Sequence, residues 1–348
     1  MLNAEREIRG GEYVDLLVQF KPTSQRKSVE TLDIRSPKGN VSVVLTGEGV
    51  SPTIAVEPPG GVLDAGHVLR GDMVTRSCTL RNTSVFPMAF SMLLADRSLS
   101  NYSGLPLFAC APAEATVAPG GAAEVRVSFS PDFERRAPFA GVFEVDVPNQ
   151  TDVKTVTIRG RCWNCQVYVL PASPGDEPRA DDPSLLEDAL APPVGLLVPP
   201  ASEEEARALA TPGPRMLYSW TLVFPRGAGG GAGGAAAAPA AAEKKVVVGC
   251  IELNDPKRGS PGTFEVTFPA DAAGVFTADV MKGAVNAGQA ATVTFKFTAP
   301  RKNAGGAGTE YGQWKQVTAR IALKGGFVPP GIPEDRFVNV VLRGFVPI

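Results

Sequence analysis

Three stretches of this chain share one pattern of apolar and polar positions. They are IRGGEYVDLLVQFKP from Ile8, VAPGGAAEVRVSFSP from Val117 and VNAGQAATVTFKFTAP from Val285. Each opens on an apolar residue and places a glycine three residues later, Gly11, Gly120 and Gly288. Each then alternates up to a phenylalanine twelve residues from its start, Phe20, Phe129 and Phe297. Period two predicts a strand with one buried face. Leu16, Val18 and Phe20 fall on that face, as do Val125, Val127 and Phe129, and Val293, Phe295 and Phe297. The glycines suit a turn that needs positive φ, a conformation costly for residues with a Cβ.

Each copy runs on to a closing strand of the form apolar-x-Gly, ending at Gly47, Gly160 and Gly344. Two copies also extend upstream, with Phe108 and Phe276 each nine residues before the opening valine. From Phe20 to Phe129 is 109 residues, the size of one immunoglobulin-like sandwich. From Phe129 to Phe297 is 168 residues, so the third unit carries insertions. The expected fold is all-β: tandem antiparallel immunoglobulin-like sandwiches with long low-complexity loops. Residues 1–50 hold only the C-terminal half of a unit, 51–161 a full sandwich, and 162–348 a divergent one with insertions at about 171–214, 226–245 and 300–316. Half a sandwich exposes an apolar face and an open edge, so the missing strands are expected upstream in a longer protein or from a partner. In the third unit CQVYVL reads as a strand and SEEEARALA as a short helical piece. MLYSWTLVF and VVVGCIEL read as the two arms of a hairpin around an Ala/Gly-rich loop.

Composition narrows the function classes. With 34 basic and 36 acidic residues the formal charge is −2, so no overall field draws nucleic acid or an anionic membrane. No run of about 18 apolar residues occurs, and the first residues lack a basic segment followed by an apolar one. Five cysteines, an odd number in a chain of this size, favour a reducing compartment. Four N-x-S/T sequons, at Asn40, Asn82, Asn101 and Asn149, keep a secreted adhesion- or chaperone-like sandwich as an alternative.

Residues 54–160 resemble the ASH domain, the major-sperm-protein-like immunoglobulin fold. The resemblance rests on IAVEP, LDAGHVLRG, TLRNTSVFPMAF, the V-x-V-x-F-x-P run ending at Pro131, and the closing TIRG. Leu63, Asp64, Gly66, Val68, Gly71, Asn82, Ser84, Pro87 and Phe90 occupy the signature places, while Ala65 stands where the family favours Phe. Gly120, Phe129, Pro131 and Gly160 complete the signature, and Gly288, Phe297 and Gly344 repeat its second half, with Asn254-Asp255-Pro256 echoing the Asn turn. Such domains recur in tandem in hydin and related cilia- and flagella-associated proteins of the axonemal central apparatus. The resemblance therefore implies a non-enzymatic scaffold of the motile cilium, with other axonemal proteins as partners and microtubules touched only indirectly. It implies no cofactor, nucleic acid, membrane or small-molecule substrate. Similar domains in centrosomal and trafficking adaptors give a second alternative.

Two clusters could carry chemistry instead. His67, the one histidine, lies near Asp64, Ser77 and Ser84, the residue types of a nucleophilic triad, but no G-x-S-x-G elbow is present. In the sandwich reading it sits at a strand-entry turn facing solvent. Cys162 and Cys165 form a C-x-x-C, which supplies two metal ligands or a redox pair. Their position between two units instead suggests a buried interdomain link with Trp163 packed at the joint. The glycine runs at 227–234 and 305–308 lack the Lys-Ser/Thr of a phosphate loop. Asp181, Asp182 and Glu203 to Glu205 form a candidate docking strip for a basic partner.

Overall fold

The computed structural model describes residues 8–50, 53–135, 137–148, 152–176, 214–224, 242–272, 274–299 and 312–346. A hairpin of β1 (Lys27–Ser36) and β2 (Gly39–Glu48) comes first. The first sandwich follows: β3 (Ile54–Glu57), β4 (Val62–Leu69), β5 (Val74–Asn82), β6 (Met88–Leu94), β7 (Phe108–Ala111), β8 (Glu114–Val117), β9 (Ala122–Phe129), β10 (Phe139–Asp146) and β11 (Lys154–Trp163). The second comprises β12 (Val167–Pro171), β13 (Arg215–Val223), β14 (Ala242–Cys250), β15 (Gly262–Thr267), β16 (Phe276–Ala278), β17 (Lys282–Val285), β18 (Ala290–Phe297), β19 (Trp314–Gly325) and β20 (Arg336–Phe345).

The two sandwiches match strand for strand. In the first, sheet β3-β5-β9-β7 faces sheet β4-β11-β10-β6-β8; in the second, β12-β14-β18-β16 faces β13-β20-β19-β15-β17. Each has a parallel pair at the same place, β4 with β11 and β13 with β20. Each encloses its own apolar core between its two sheets. The fold is thus all-β, with immunoglobulin-like sandwiches in succession.

The repeat follows from what its residues do. Gly11, Gly120 and Gly288 all adopt positive φ, +93°, +67° and +75°. The alternating strands β9 and β18 are the third strands of their sheets, and their phenylalanines point inward, Phe129 0% and Phe297 2% exposed. A Cβ built on Gly47, Gly160 or Gly344 would come within 3.0 Å of the ring of Phe20, Phe129 or Phe297 respectively. The closing strand therefore needs glycine because the phenylalanine from the opposite sheet lies on its backbone. Phe108 and Phe276 extend the contact, their ring centroids 5.4 Å from Phe129 and 5.1 Å from Phe297.

Three expectations need correction. Residues 12–22 form no strand, although Leu16, Val18 and Phe20 alternate. In β9 and β18 the same alternation is held between two neighbouring strands, whereas residues 8–50 contain one hairpin and neither neighbour. β13 and β14 are not arms of a hairpin: β13 runs parallel to β20 in one sheet, and β14 lies between β12 and β18 in the other. The Ala/Gly-rich loop thus connects the two sheets. Two insertions are also shorter than expected, since β14 takes up Ala242 to Lys245 and β19 begins at Trp314. The expected helical piece and the acidic strip at 181–205 lie outside the described residues.

Gly160→Val would place a branched side chain where the Phe129 ring lies, an overpacking worth about 1–3 kcal/mol or more. Phe129→Ala should cost about 3–5 kcal/mol through the cavity it leaves. Urea unfolding followed by far-UV circular dichroism measures both, and a Gly160→Val protein as stable as the wild type would contradict the packing described.

Candidate functional site

The Asn82 corner is a structural clasp. β5 ends at Asn82, which is 0% exposed. Its Nδ2 donates to the carbonyls of Phe86 (2.9 Å), Val117 (2.9 Å) and Ala118 (3.1 Å). Its Oδ1 accepts from the Ser84 amide (2.9 Å) and hydroxyl (2.6 Å). One carboxamide thereby ties the β5–β6 turn to the β8–β9 turn, which explains Asn and Ser at this spacing. Pro87 is exposed, and Phe90 enters the core behind it. Asn101 acts likewise, donating to the Ser130 carbonyl and accepting from the Asp132 amide. Both asparagines are buried with their amides engaged, so these two sequons are closed to a glycan in the folded protein.

The other signature residues are placed around β4. Leu63 and Val68 enter the core. Asp64 Oδ1 accepts from the Gly66 amide at 2.8 Å, and Gly66 takes φ +68° at a β-bulge where β4 shifts register against β11. Ala65, 2% exposed, faces the close approach of Phe129 to Gly160, where a Cβ on the glycine would also touch Ala65. Gly71 takes φ +83° and donates to the carbonyl of the buried Pro131 at 2.9 Å.

In the second sandwich the pairing register puts Cys250 where the first has Asn82. Gln166, 0% exposed, does the clasping there. It donates to the Ile251 carbonyl and accepts from the amides of Phe327 (2.7 Å) and Ser260 (3.3 Å). Asn254 is therefore no echo of Asn82; it reaches back to the first sandwich and donates to the Met73 carbonyl at 2.9 Å. Sequence reasoning missed Gln166 because its partners lie 85 to 161 residues away.

His67, Asp64, Ser77 and Ser84 do not come together as a triad. Ser77 donates to Glu124 (2.6 Å), Ser84 to Asn82, and Asp64 serves its own bulge. His67 is not at a solvent-facing turn but inside β4, in the seam between the sandwiches. Its Nδ1 accepts the indole N–H of Trp163 at 2.9 Å, and its ring stacks on Tyr168 with centroids 4.2 Å apart. Burial, aided by Arg161 on β11 and opposed by Asp64 on β4, holds its pKa at about 4. The neutral ring that results has spent its acceptor nitrogen on Trp163.

Cys162 and Cys165 are buried free thiols, 0% and 4% exposed, with Cys162 in the first core. Burial pushes the Cys165 pKa up to about 12 and that of Cys162 well above the usual thiol range. Thiols held protonated are poor nucleophiles. Among the described residues, no three His, Cys, Asp or Glu side chains converge as a metal set.

No protein-family model matches the chain. It is 36% identical over 208 residues to cilia- and flagella-associated protein 74 of Chlamydomonas reinhardtii, covering 58% of this chain and 10% of that protein. It is 28% identical over 202 residues to the mouse protein of the same name, covering 51% of this chain and 13% of that one. The chain thus spans about a tenth of the length of the curated relatives it matches. Among solved structures, the ASH/PapD-like domain of human CEP192 aligns at a TM-score of 0.26 and 12% identity, covering 44% of this chain and 96% of that domain.

Since the folded-state pKa of His67 lies below its ordinary 6.5, folding favours the neutral ring. That contribution is full above about pH 6.5 and is lost as pH falls toward 4, a ceiling on the order of 3 kcal/mol. Arg161, Asp64 and the uncharged rings of Trp163 and Tyr168 are the groups facing it. Chemical denaturation at pH 7 and pH 4.5 should show a larger acid loss for the wild type than for His67→Phe. Equal losses would contradict the assignment.

Proposed function

We propose that this chain is a stretch of a non-enzymatic scaffold protein of the motile-cilium axoneme, working in the central apparatus. The observation that carries the reading is the 36% identity over 208 residues to cilia- and flagella-associated protein 74. The architecture supports it: the signature side chains are used up in holding turns, bulges and the interdomain seam. What the sandwiches offer partners is a fixed shape, while the long unbroken edges of β1 and β2 are where extended segments can add as strands. The partners on this reading are other axonemal proteins, with microtubules reached through them.

Residues 8–50 on the same reading are the C-terminal half of a further sandwich. β1 and β2 stand where β10–β11 and β19–β20 stand in the two sandwiches, and Phe20 lies on Gly47 as Phe129 lies on Gly160. Phe20 is nevertheless 50% exposed, and Val29, Val41 and Val44 are 62%, 59% and 62% exposed. Strands from outside these residues would cover them.

The full-length protein, tagged in a flagellate cell, should remain on detergent-extracted axonemes and disappear from them in cells lacking the central microtubule pair. Confinement to the basal body or the soluble matrix would overturn the placement. In limited trypsin digestion of the isolated chain, cuts at Arg26, Arg35 and Lys38 should precede any within β3–β11, because a lone two-stranded hairpin is marginal in water. Equal protection of β1–β2 would argue against an unfinished half.

A further inference from the structure

We infer that the two sandwiches are locked into one rigid body by a ring cluster particular to their joint, in which Tyr168 stacks on both His67 and Trp163. His67 comes from the first sandwich, Trp163 ends β11, and Tyr168 begins the second sandwich. The Tyr168 ring lies 4.2 Å from His67 and 4.9 Å from Trp163, inclined by 18° and 17°. The indole N–H bond to His67 fixes the third side of the triangle. Tyr218 of β13 backs Trp163 from the second sandwich at 5.9 Å.

The joint is held at separate points, so no single bond serves as its hinge. Leu69 at the end of β4, 1% exposed, belongs to the core of the second sandwich rather than the first. The β4–β5 turn is clamped to the loop after β14: Asp72 pairs with Arg258 at 3.0 Å, and the Met73 carbonyl accepts from Asn254. The Asp72 side chain is only 11% exposed, and Arg258 is steadied by lying over the Phe327 ring at 4.8 Å. On the first-sandwich side, Glu134 accepts from the backbone amide of Asn164 in the connection, at 2.8 Å.

Register equivalence shows that the cluster is not a general property of consecutive units. Closing-strand alignment places Val50 where Trp163 stands, and the β3–β5 and β12–β14 ladders place Ala55 where Tyr168 stands. Val50 is 44% exposed, against 4% for Trp163. Gly249, on β14, leaves the space that the Tyr168 ring fills, since a Cβ there would overlap it; the equivalent residue on β5 is Arg81. Three positions have thus changed together where the second sandwich meets the first. The inference rests on these contacts and not on the ciliary reading, so either can fail without the other.

The test places nitroxides at Glu144→Cys on β10 and Thr318→Cys on β19, both exposed positions, in a Cys110→Ser background, and measures their distance distribution by pulsed electron resonance. The expected result is one narrow peak that is lost to a broad distribution in the His67→Ala/Arg258→Ala protein, whose far-UV circular dichroism stays unchanged. A broad distribution in the parent protein, or a narrow peak surviving in the double variant, overturns the lock. If the double variant does not fold, His67→Gln/Arg258→Ala, which removes the stacked ring but keeps a polar side chain on β4, is read against the same two outcomes.

Discussion

Each sandwich is organised around a phenylalanine ring lying on a glycine of the facing sheet. Phe129 sits on β9 and Gly160 on β11, in opposite sheets, and Phe297 on β18 with Gly344 on β20 repeats the arrangement. The glycine lets the ring reach the backbone of the facing sheet, so the contact fixes both the local sheet spacing and the register of the closing strand. A one-residue slip would replace Gly160 by Arg159 or Arg161, and neither fits beneath a ring. The parallel pairing of β4 with β11, the bulge at Gly66 and the small Ala65 beside Gly160 all follow from a closing strand held at that height.

The same geometry explains which features were legible in the sequence. The alternation, the turn glycines and the Phe-to-Gly pairing recur at short separations, so three copies side by side identified the unit and the all-β class. Pairings between sheets carried no such signal. β13 and β14 are consecutive, apolar and separated by a loop, which made a hairpin the simplest reading, yet each belongs to a different sheet. His67 was misread for a related reason. Its position in β4 resembles that of a turn residue beside Gly66, and what buries it is Tyr168, 101 residues further on and in the next sandwich. The C-x-x-C pair lies buried in the connection between the sandwiches, as its position between two units suggests, and burial raises both thiol pKa values, an effect that spacing alone does not carry.

The buried carboxamides of Asn82, Asn101 and Gln166 act as ties between distant backbone segments. Asn82 and Gln166 are each a buried carboxamide tie, but they join different loops: Asn82 the β5–β6 and β8–β9 turns, Gln166 the segment after β14 and the β19–β20 loop. A buried carboxamide suits that work because it both donates and accepts, and leaving either half unpaired would be costly. The change of position is tied to the joint: Gln166 lies in the connection that also carries Trp163 and Cys165. The clasp of the second sandwich thus depends on the path by which the chain leaves the first.

The sheet edges separate the two sandwiches from the segment before them. Their edge strands β3, β7, β8, β12, β16 and β17 have only four, four, four, five, three and four residues. The longer edges β4 and β13 each carry a register shift. Short or bulged edges resist pairing with other chains. β1 and β2 have neither protection: each is ten residues long and they pair without a break, with valines exposed. An exposed edge of that length and composition is a template for another strand to pair with. In the sandwiches that place is filled by β4 and β13 along the closing strand and by β6 and β15 on the other side. On the proposal that residues 8–50 are half of a further sandwich, the strands completing the hairpin run parallel to β2 and antiparallel to β1, as β4 and β6 do against β11 and β10.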